Sequence, residues 1–374
     1  MKVLFFLGHP AHFHLFKQTI NELRGRGHEL RIVIKSKDVL EALVQSQGWE
    51  FDNIYPEERE HNRAAIAFSL MRRTRAMIRI CARFGPDLMI GTSAEIAQAG
   101  WWRRRPSVVL QEDDCEVIPD FCRFAYPFCT RVMTPRVCRT GRWEQKTLHY
   151  DGYHELAYLH PNRFEPDEAV YRRLITRGSP ELDGSRNPER YFILRLCGLT
   201  AFHDVGVSGI PDDLARRIID RLRSHGRVYI TSERPLDPEL EKHKLSIDTA
   251  DIHHAVYYAD MVIGDSQTMA AEAAVLGTPS LRFSDFAGRL RYLEELEHKY
   301  QLTCGIPASE PEKLLARIDR WAGDRELKKE YADRRHKMLD EKIDVAALLT
   351  WFVDSFPQSV QIMQQNEEFG LRFK

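Results

Sequence analysis

A chain of 374 residues, 43% hydrophobic and 29% charged, suits two globular domains of ordinary size. Its net charge of −1 gives no overall attraction to nucleic acid, so no nucleic-acid partner is expected. It contains no apolar run of about 18 residues, so no membrane-crossing helix is expected.

The charge is unevenly spread. Residues 1–150 hold 23 Lys and Arg against 17 Asp and Glu, and the remainder holds 31 against 38, which suggests two units with different surfaces. The opening MKVLFFLGHP reads as a first strand rather than a signal peptide, because His, Pro and Gly follow its short apolar run at once. Seven scattered cysteines point to reduced thiols in a cytoplasmic protein. Cys115, Cys122, Cys129 and Cys138 match no zinc spacing, and neither a metal nor a cofactor is expected.

Lys2 to Leu7 predicts a strand. A glycine turn and a helix follow, with Phe13, Phe16, Ile20 and Leu23 on one face, and then a second strand over Arg31 to Lys35. That order argues for a parallel sheet covered by helices. Gly8, His9, His12 and His14 fall at the carboxyl end of the first strand, where open α/β sheets bind ligands. Gly8 is a candidate for nucleotide-sugar binding and His12 for general base, with loop donors as the alternative. Helix signals continue at 37–47 and 62–84. The second is strongly basic and is followed by Trp101, Trp102 and Arg103 to Arg105. Basic residues beside aromatics suit an anionic membrane surface, and a solvated helix face is the alternative. Strands are predicted at 86–91, at 107–114 and, last in this half, at 130–135. The second of these delivers Glu112, Asp113 and Asp114 at its carboxyl end, where Glu112 and Asp113 are candidate catalytic acids.

Polar, Pro-bearing stretches at 151–170 and 177–190 mark the change of domain. The expected division is a first domain at 1–165, a linker at 166–189, a second domain at 190–345, and a tail at 346–374 packing back on the first domain. The second sheet starts with YFILRLC, residues 191–197, where Arg195 is a lone cation near the end of a buried strand. A buried Arg needs a partner, either a carboxylate or a phosphate. His203 and Asp204 follow in the next loop. Helices are expected at 211–224, near 236–243 and through 309–353, with a strand at 227–231.

The most informative stretch is GDSQTMAAEAAVLGTPS, Gly264 to Ser280. The apolar run YYADMVI before it reads as a strand, and SLRF after it, with Arg282 near its end, as another. Between them lies a helix of small apolar residues that Gly277 stops. Gly264, Asp265, Ser266, Gln267 and Thr268 sit at its N-terminus, where unpaired N–H groups and the positive helix dipole suit a diphosphate. Glu272, the one charge in that helix, is placed to hold ribose hydroxyls. The alternative is an ordinary N-cap at Ser266 and a Glu272 facing solvent.

Two doubly wound α/β domains facing across a cleft, with a diphosphate loop in the second, form the layout of GT-B folds. The chain resembles the DUF354 family, a GT-B-like group related to nucleotide-sugar enzymes. The resemblance covers most of the chain, through HFHLFKQTINELRGRGHEL, DGYHELAYLHPNRFEPD, LRLCGLTAFHDVG and DIHHAVYYADMVIGDSQTMAAEAAVLGTPSLRF. More distantly, DSQTMAAEA is similar to the UDP-binding loop of the non-hydrolysing UDP-GlcNAc 2-epimerases, which read DSGG followed by a Glu-Ala pair. Asp265, Ser266, Glu272 and Ala273 match, and Gln267 and Thr268 replace the glycines. The resemblance implies that loop amides hold phosphate and the Glu holds ribose. It also implies that Glu112 matches an active-site Glu and that His203 lies near the position of an active-site His. Gly91-Thr92-Ser93 replaces the epimerases' strand-end Asp, and their doubled arginine after the His is absent.

The expected function is a glycosyltransferase using a nucleoside-diphosphate sugar, UDP-linked by preference, in surface glycan or polysaccharide biosynthesis. Its acceptor would be a glycan or lipid-linked molecule, and Arg195 and Arg282 would assist at the nucleotide. Two alternatives stand beside it: a nucleotide-sugar epimerase, and a non-catalytic nucleotide-sugar-binding protein.

Overall fold

The computed structural model describes residues 1–35, 39–54, 63–176, 189–198 and 209–374. Two compact units divide the chain. Unit 1 comprises Met1–Arg163 and Lys342–Lys374, and unit 2 comprises Phe164–Glu341.

Among the described residues unit 1 has seven strands: β1 (Lys2–Leu7), β2 (Glu29–Ile34), β3 (Phe51–Asn53), β4 (Leu88–Gly91), β5 (Ser107–Leu110), β6 (Arg131–Pro135) and β7 (Thr147–Tyr150). Their order in the sheet is β3-β2-β1-β4-β5-β6-β7, and every pairing is parallel. Parallel neighbours need crossover helices, and these cover both faces, so the central strands read as unbroken apolar runs. Val3 to Leu7 and Leu88 to Ile90 are buried accordingly. The helix Pro10–Gly25 shows the local logic. His9 caps it by accepting from the Ala11 amide, Pro10 opens its first turn, and Phe13, Phe16, Ile20 and Leu23 form its buried stripe.

Unit 2 carries β8 (Tyr191–Leu196), β9 (Arg227–Ser232), β10 (Met261–Gly264), β11 (Ser280–Phe283) and β12 (Cys304–Ile306), all parallel, in the order β12-β11-β10-β8-β9. Two helix-flanked parallel sheets are the α/β class expected from the sequence.

Several local expectations need correction. The segment at 130–135 is not the last strand of its half, because β7 follows it at the sheet edge. Of YYADMVI only Met261 onward is strand, since Tyr257 and Tyr258 end the helix Ile252–Tyr258. The short strands β3 and β12 gave no clear signal at three residues each. Within the stretch read as a linker, Glu168–Thr176 is a helix that buries Val170 and Leu174. Cys115 and Cys122 are joined as a disulfide, so reduced thiols hold only for the five free cysteines.

Within unit 1 the helix Val345–Asp354 packs on the helix Pro10–Gly25. Asp344 anchors it from a site 2% exposed. Its Oδ1 accepts from the Ala347 amide at 2.9 Å, and its Oδ2 takes Arg163 Nε at 2.6 Å. Arg163 in turn pairs with Glu22 of the first helix. Asp344→Ala removes a cap and one half of a buried ion pair together, so it should cost about 2–4 kcal/mol. Urea unfolding checks this, with Asp344→Asn, which keeps the cap acceptor, expected to lose less. A parent-like midpoint for Asp344→Ala would show that the tail is anchored elsewhere.

Candidate functional site

In each sheet the strand order reverses once. In unit 1 the reversal lies between β1 and β4, and in unit 2 between β8 and β10. The carboxyl ends of strands at such a switch point flank a crevice in which open α/β sheets bind ligands.

At the switch point of unit 2, Gly264 on β10 lies opposite Arg195 on β8. A Cβ added at Gly264 would stand 2.8 Å from the Arg195 carbonyl oxygen, so only glycine lets the two backbones approach this closely. Arg195 is partly buried and pairs with Glu233, which also accepts from the Gly198 amide. Its Nε has no partner among the described residues. Asp265 accepts from Cys197 N through Oδ1 at 2.7 Å and from Ile210 N through Oδ2 at 3.0 Å. Burial raises the Asp265 pKa, and those two amide bonds oppose the shift. Both carboxylate oxygens are therefore engaged by backbone amides.

The helix Gln267–Leu276 begins immediately after. Ser266 is its N-cap and accepts from Met269 N at 3.2 Å. The Gln267 and Thr268 amides have no acceptor among the described residues, as the geometry of a helix start dictates. Every residue from Met269 to Leu276 is buried. Glu272 therefore does not face solvent. Its Oε1 meets His253 Nε2 at 3.0 Å, and both side chains are buried. Arg282, at the end of β11, is fully buried. It reaches Glu297 Oε2 at 2.6 Å and Gln267 Oε1 at 3.5 Å. Its Nε and the Gln267 Nε2 have no partner among the described residues. A helix N-terminus and partly unpaired side chains of Arg195, Gln267 and Arg282 thus lie at one end of unit 2, which suits a bound anion.

At the switch point of unit 1, His12 accepts from the Gly8 amide through Nδ1 at 3.1 Å. The Thr92 hydroxyl lies 2.6 Å from that nitrogen and 3.0 Å from Nε2. Thr92 belongs to the Gly91-Thr92-Ser93 turn after β4. Gly91 is tightly constrained there, since an added Cβ would meet the Phe6 carbonyl oxygen at 2.9 Å.

The acidic run follows β5 on the same edge. Glu112 Oε2 accepts from His154 N at 3.1 Å, and its Oε1 lies 3.4 Å from His154 Nδ1. The His154 Nε2 is buried without a partner among the described residues, as is the Tyr150 hydroxyl. Asp114 Oδ1 is bound by the Arg139 amide at 2.8 Å. For Asp113, burial first and then the neighbouring Glu112 charge push the carboxyl up to about 7, against the opposing pull of His154. A carboxyl poised near neutrality beside a carboxylate–imidazole pair can accept and return a proton.

The sheet edges thus gather Gly8 and His12 in one group, and Glu112 and Asp113 with the unforeseen His154 in a second, both in unit 1. Arg195, Gly264, Asp265, Ser266, Gln267, Thr268, Glu272 and Arg282 lie around the end of unit 2. His203 lies outside the described residues. Thr92, His154 and His253 were missed as partners of predicted groups. The first was visible as a departure from the epimerase pattern, and the other two carried no local signal. Among the described residues no group of three or more His, Cys, Asp and Glu is arranged to hold a metal ion.

The charge of Asp113 should be visible in stability. It is protonated up to about 7 when folded, but only below about 4 when unfolded. The stability it contributes is therefore full below about pH 4 and is lost as the pH rises through 7. Asp113→Asn, which cannot ionise, should be more stable than the parent by about 2–4 kcal/mol near pH 8, with the gain vanishing near pH 4. Urea unfolding across that range is the check, and a pH-independent difference would mean that Asp113 titrates normally.

No family model matches this chain, and neither does any curated protein. Solved structures do. The UDP-bound MnaA of S. aureus is similar over 96% of this chain and 98% of its own, at TM-score 0.65 and 10% identity. The UDP-GlcNAc 2-epimerase of Neisseria meningitidis, bound to UDP-GlcNAc, is similar over 98% and 100%, at TM-score 0.60 and 13% identity. The spinosyn rhamnosyltransferase SpnG, with its spinosyn aglycone, is similar over 94% and 100%, at TM-score 0.62 and 14% identity. Glycosyltransferases and UDP-GlcNAc 2-epimerases of the GT-B fold are thus the structural neighbours, and the chain has that fold.

Proposed function

We propose that this chain is a nucleotide-sugar enzyme, a glycosyltransferase that takes a UDP-linked donor and acts in surface glycan or polysaccharide biosynthesis in the cytoplasm. The observation that carries the reading is the β8/β10 switch point, where a glycine-permitted close approach, Arg195 and the start of a buried helix meet. In this reading the Gln267 and Thr268 backbone amides bind the diphosphate, Arg195 supplies countercharge, and Arg282 orients the Gln267 side chain by donating to its Oε1. The helix terminus and Arg195 then stabilise the departing diphosphate as the glycosidic bond breaks, with no metal required. Glu272 holds the ribose. The acceptor, a glycan or a lipid-linked molecule, is assigned to unit 1, where His12, Glu112 or Asp113 takes its proton. The motifs HFHLFKQTINELRGRGHEL and DIHHAVYYADMVIGDSQTMAAEAAVLGTPSLRF support membership of the DUF354 family.

Epimerisation is the second reading. It is favoured by Asp113, a carboxyl held near neutrality next to Glu112, because such a pair can remove and return a proton. Incubation with UDP-sugars separates the two. A transferase turns over only when an acceptor is added, apart from slow hydrolysis, whereas an epimerase alters the sugar alone.

Calorimetry with UDP tests the nucleotide site. Glu272→Ala should weaken binding by about 1–3 kcal/mol. Arg195→Lys should leave affinity below the parent, because an ammonium lacks the planar fork. Parent-like affinity in both folded variants would remove these side chains from the nucleotide site.

Turnover tests the edge of unit 1. His12→Ala and Glu112→Gln should each lower kcat by about 10²-fold or more while UDP affinity stays within a few-fold. Full turnover in both would take this edge out of the mechanism.

A further inference from the structure

The opposite, amino-terminal edge of the unit 1 sheet carries a surface that the reaction does not use. The helices Arg63–Phe84, Ala94–Arg103 and Pro119–Ala125 lead into β4, β5 and β6 respectively, so their last turns come to that edge. Trp101 is 59% exposed there, Trp102 66% and Phe124 48%. Large aromatic rings left in water are costly, and three of them on one edge mark a contact surface. Beside them opens a groove of about 770 Å³ lined by Trp101, Trp102, Arg104, Arg105, Phe128 and Thr130.

The surroundings are cationic. Arg79, Arg83, Arg103, Arg104 and Arg105 are exposed. The helix Arg63–Phe84 has six arginines and no Asp or Glu, and residues 97–110 contain no acid either. The charges of Arg103 and Arg105 act on the thiol of Cys81, in the last turn of the helix Arg63–Phe84. The exposed Arg123 is offset in part by Asp120 at 3.8 Å.

The edge is also preorganised. Arg73 Nε and Glu95 Oε1 form a buried pair at 2.6 Å between the first two helices. Gln98 Nε2 donates to the Phe124 carbonyl oxygen at 3.0 Å and ties the second helix to the third. The aromatic side chains are therefore presented by a fixed frame.

From these observations we infer that this edge of unit 1 docks on an anionic lipid bilayer, with Trp101, Trp102 and Phe124 entering the headgroup region and the arginines meeting lipid phosphate. Indole and phenyl rings favour that depth, and surface arginines are drawn to negative leaflets. Ring geometry favours a bilayer over single-stranded nucleic acid. Trp101 meets Phe128 edge-on at 72° and is tilted 58° from Trp102, so the rings offer no flat platform for stacking bases. The inference does not depend on the reaction and holds for a transferase or an epimerase alike.

The test is co-sedimentation of the full chain with vesicles of phosphatidylglycerol and phosphatidylcholine in equal parts, against vesicles of phosphatidylcholine alone. Binding to the anionic vesicles, a blue shift of tryptophan emission and release by salt are expected. Replacing Arg103, Arg104 and Arg105 by Gln together should weaken binding on the order of a hundred-fold. The double variant Trp101→Ser, Trp102→Ser should abolish the blue shift. UDP calorimetry on the same variants, with unchanged affinity expected, shows that they fold and separates this result from that of the nucleotide site. Equal sedimentation with both vesicle types, no binding to either, or single-stranded DNA bound as tightly as anionic vesicles would each overturn the inference.

Discussion

Both sheets are wholly parallel, and the rest of the structure depends on that constraint. Parallel strands require long crossovers, the crossovers cover both faces, and the strands become too apolar to host polar chemistry along their length. Polar groups are left to the sheet edges, where the chain leaves or enters a strand. His12, Glu112, Asp113, Arg195 and Asp265 all stand just past the carboxyl ends of strands or on their last residues. The aromatic and arginine-rich surface stands at the other edge.

At the carboxyl edges most charges are neutralised by close partners rather than by solvent. Asp265 is held by two backbone amides, Asp114 by a third, Glu112 by His154, and Arg282 by Glu297. A buried charge without a partner would be prohibitively costly, so each ion is tied to a group elsewhere in the chain. Asp265 is tied most directly, gripping residues 197 and 210 at once. Among the described residues, donors on Arg195, Gln267 and Arg282 remain unpaired at the end of unit 2 where the diphosphate is proposed to bind.

The two edges of unit 1 differ in what they can bind. One carries a histidine and a run of acids with a tunable proton, which suits chemistry on a small polar substrate. The other carries exposed rings and exposed arginines at the ends of cross-linked helices, which suits a broad, soft, anionic surface.

The α/β class, the two sheets and the helix Gln267–Leu276 were legible in the sequence because each rests on local periodicity and on strong stop signals such as Gly277. The apolar run with a single Glu272 likewise announced a buried helix. What the sequence could not supply was partnership across distance. The pairs His12 with Thr92, Glu112 with His154 and Glu272 with His253 span 80, 42 and 19 residues. Only the folded chain brings them together. Nor could it decide the state of Asp113, which follows from burial among neighbours rather than from its own side chain. Strand ends and helix starts are local properties of sequence, whereas pairing and titration are set by the packing of elements far apart along it, and only the tertiary structure decides them.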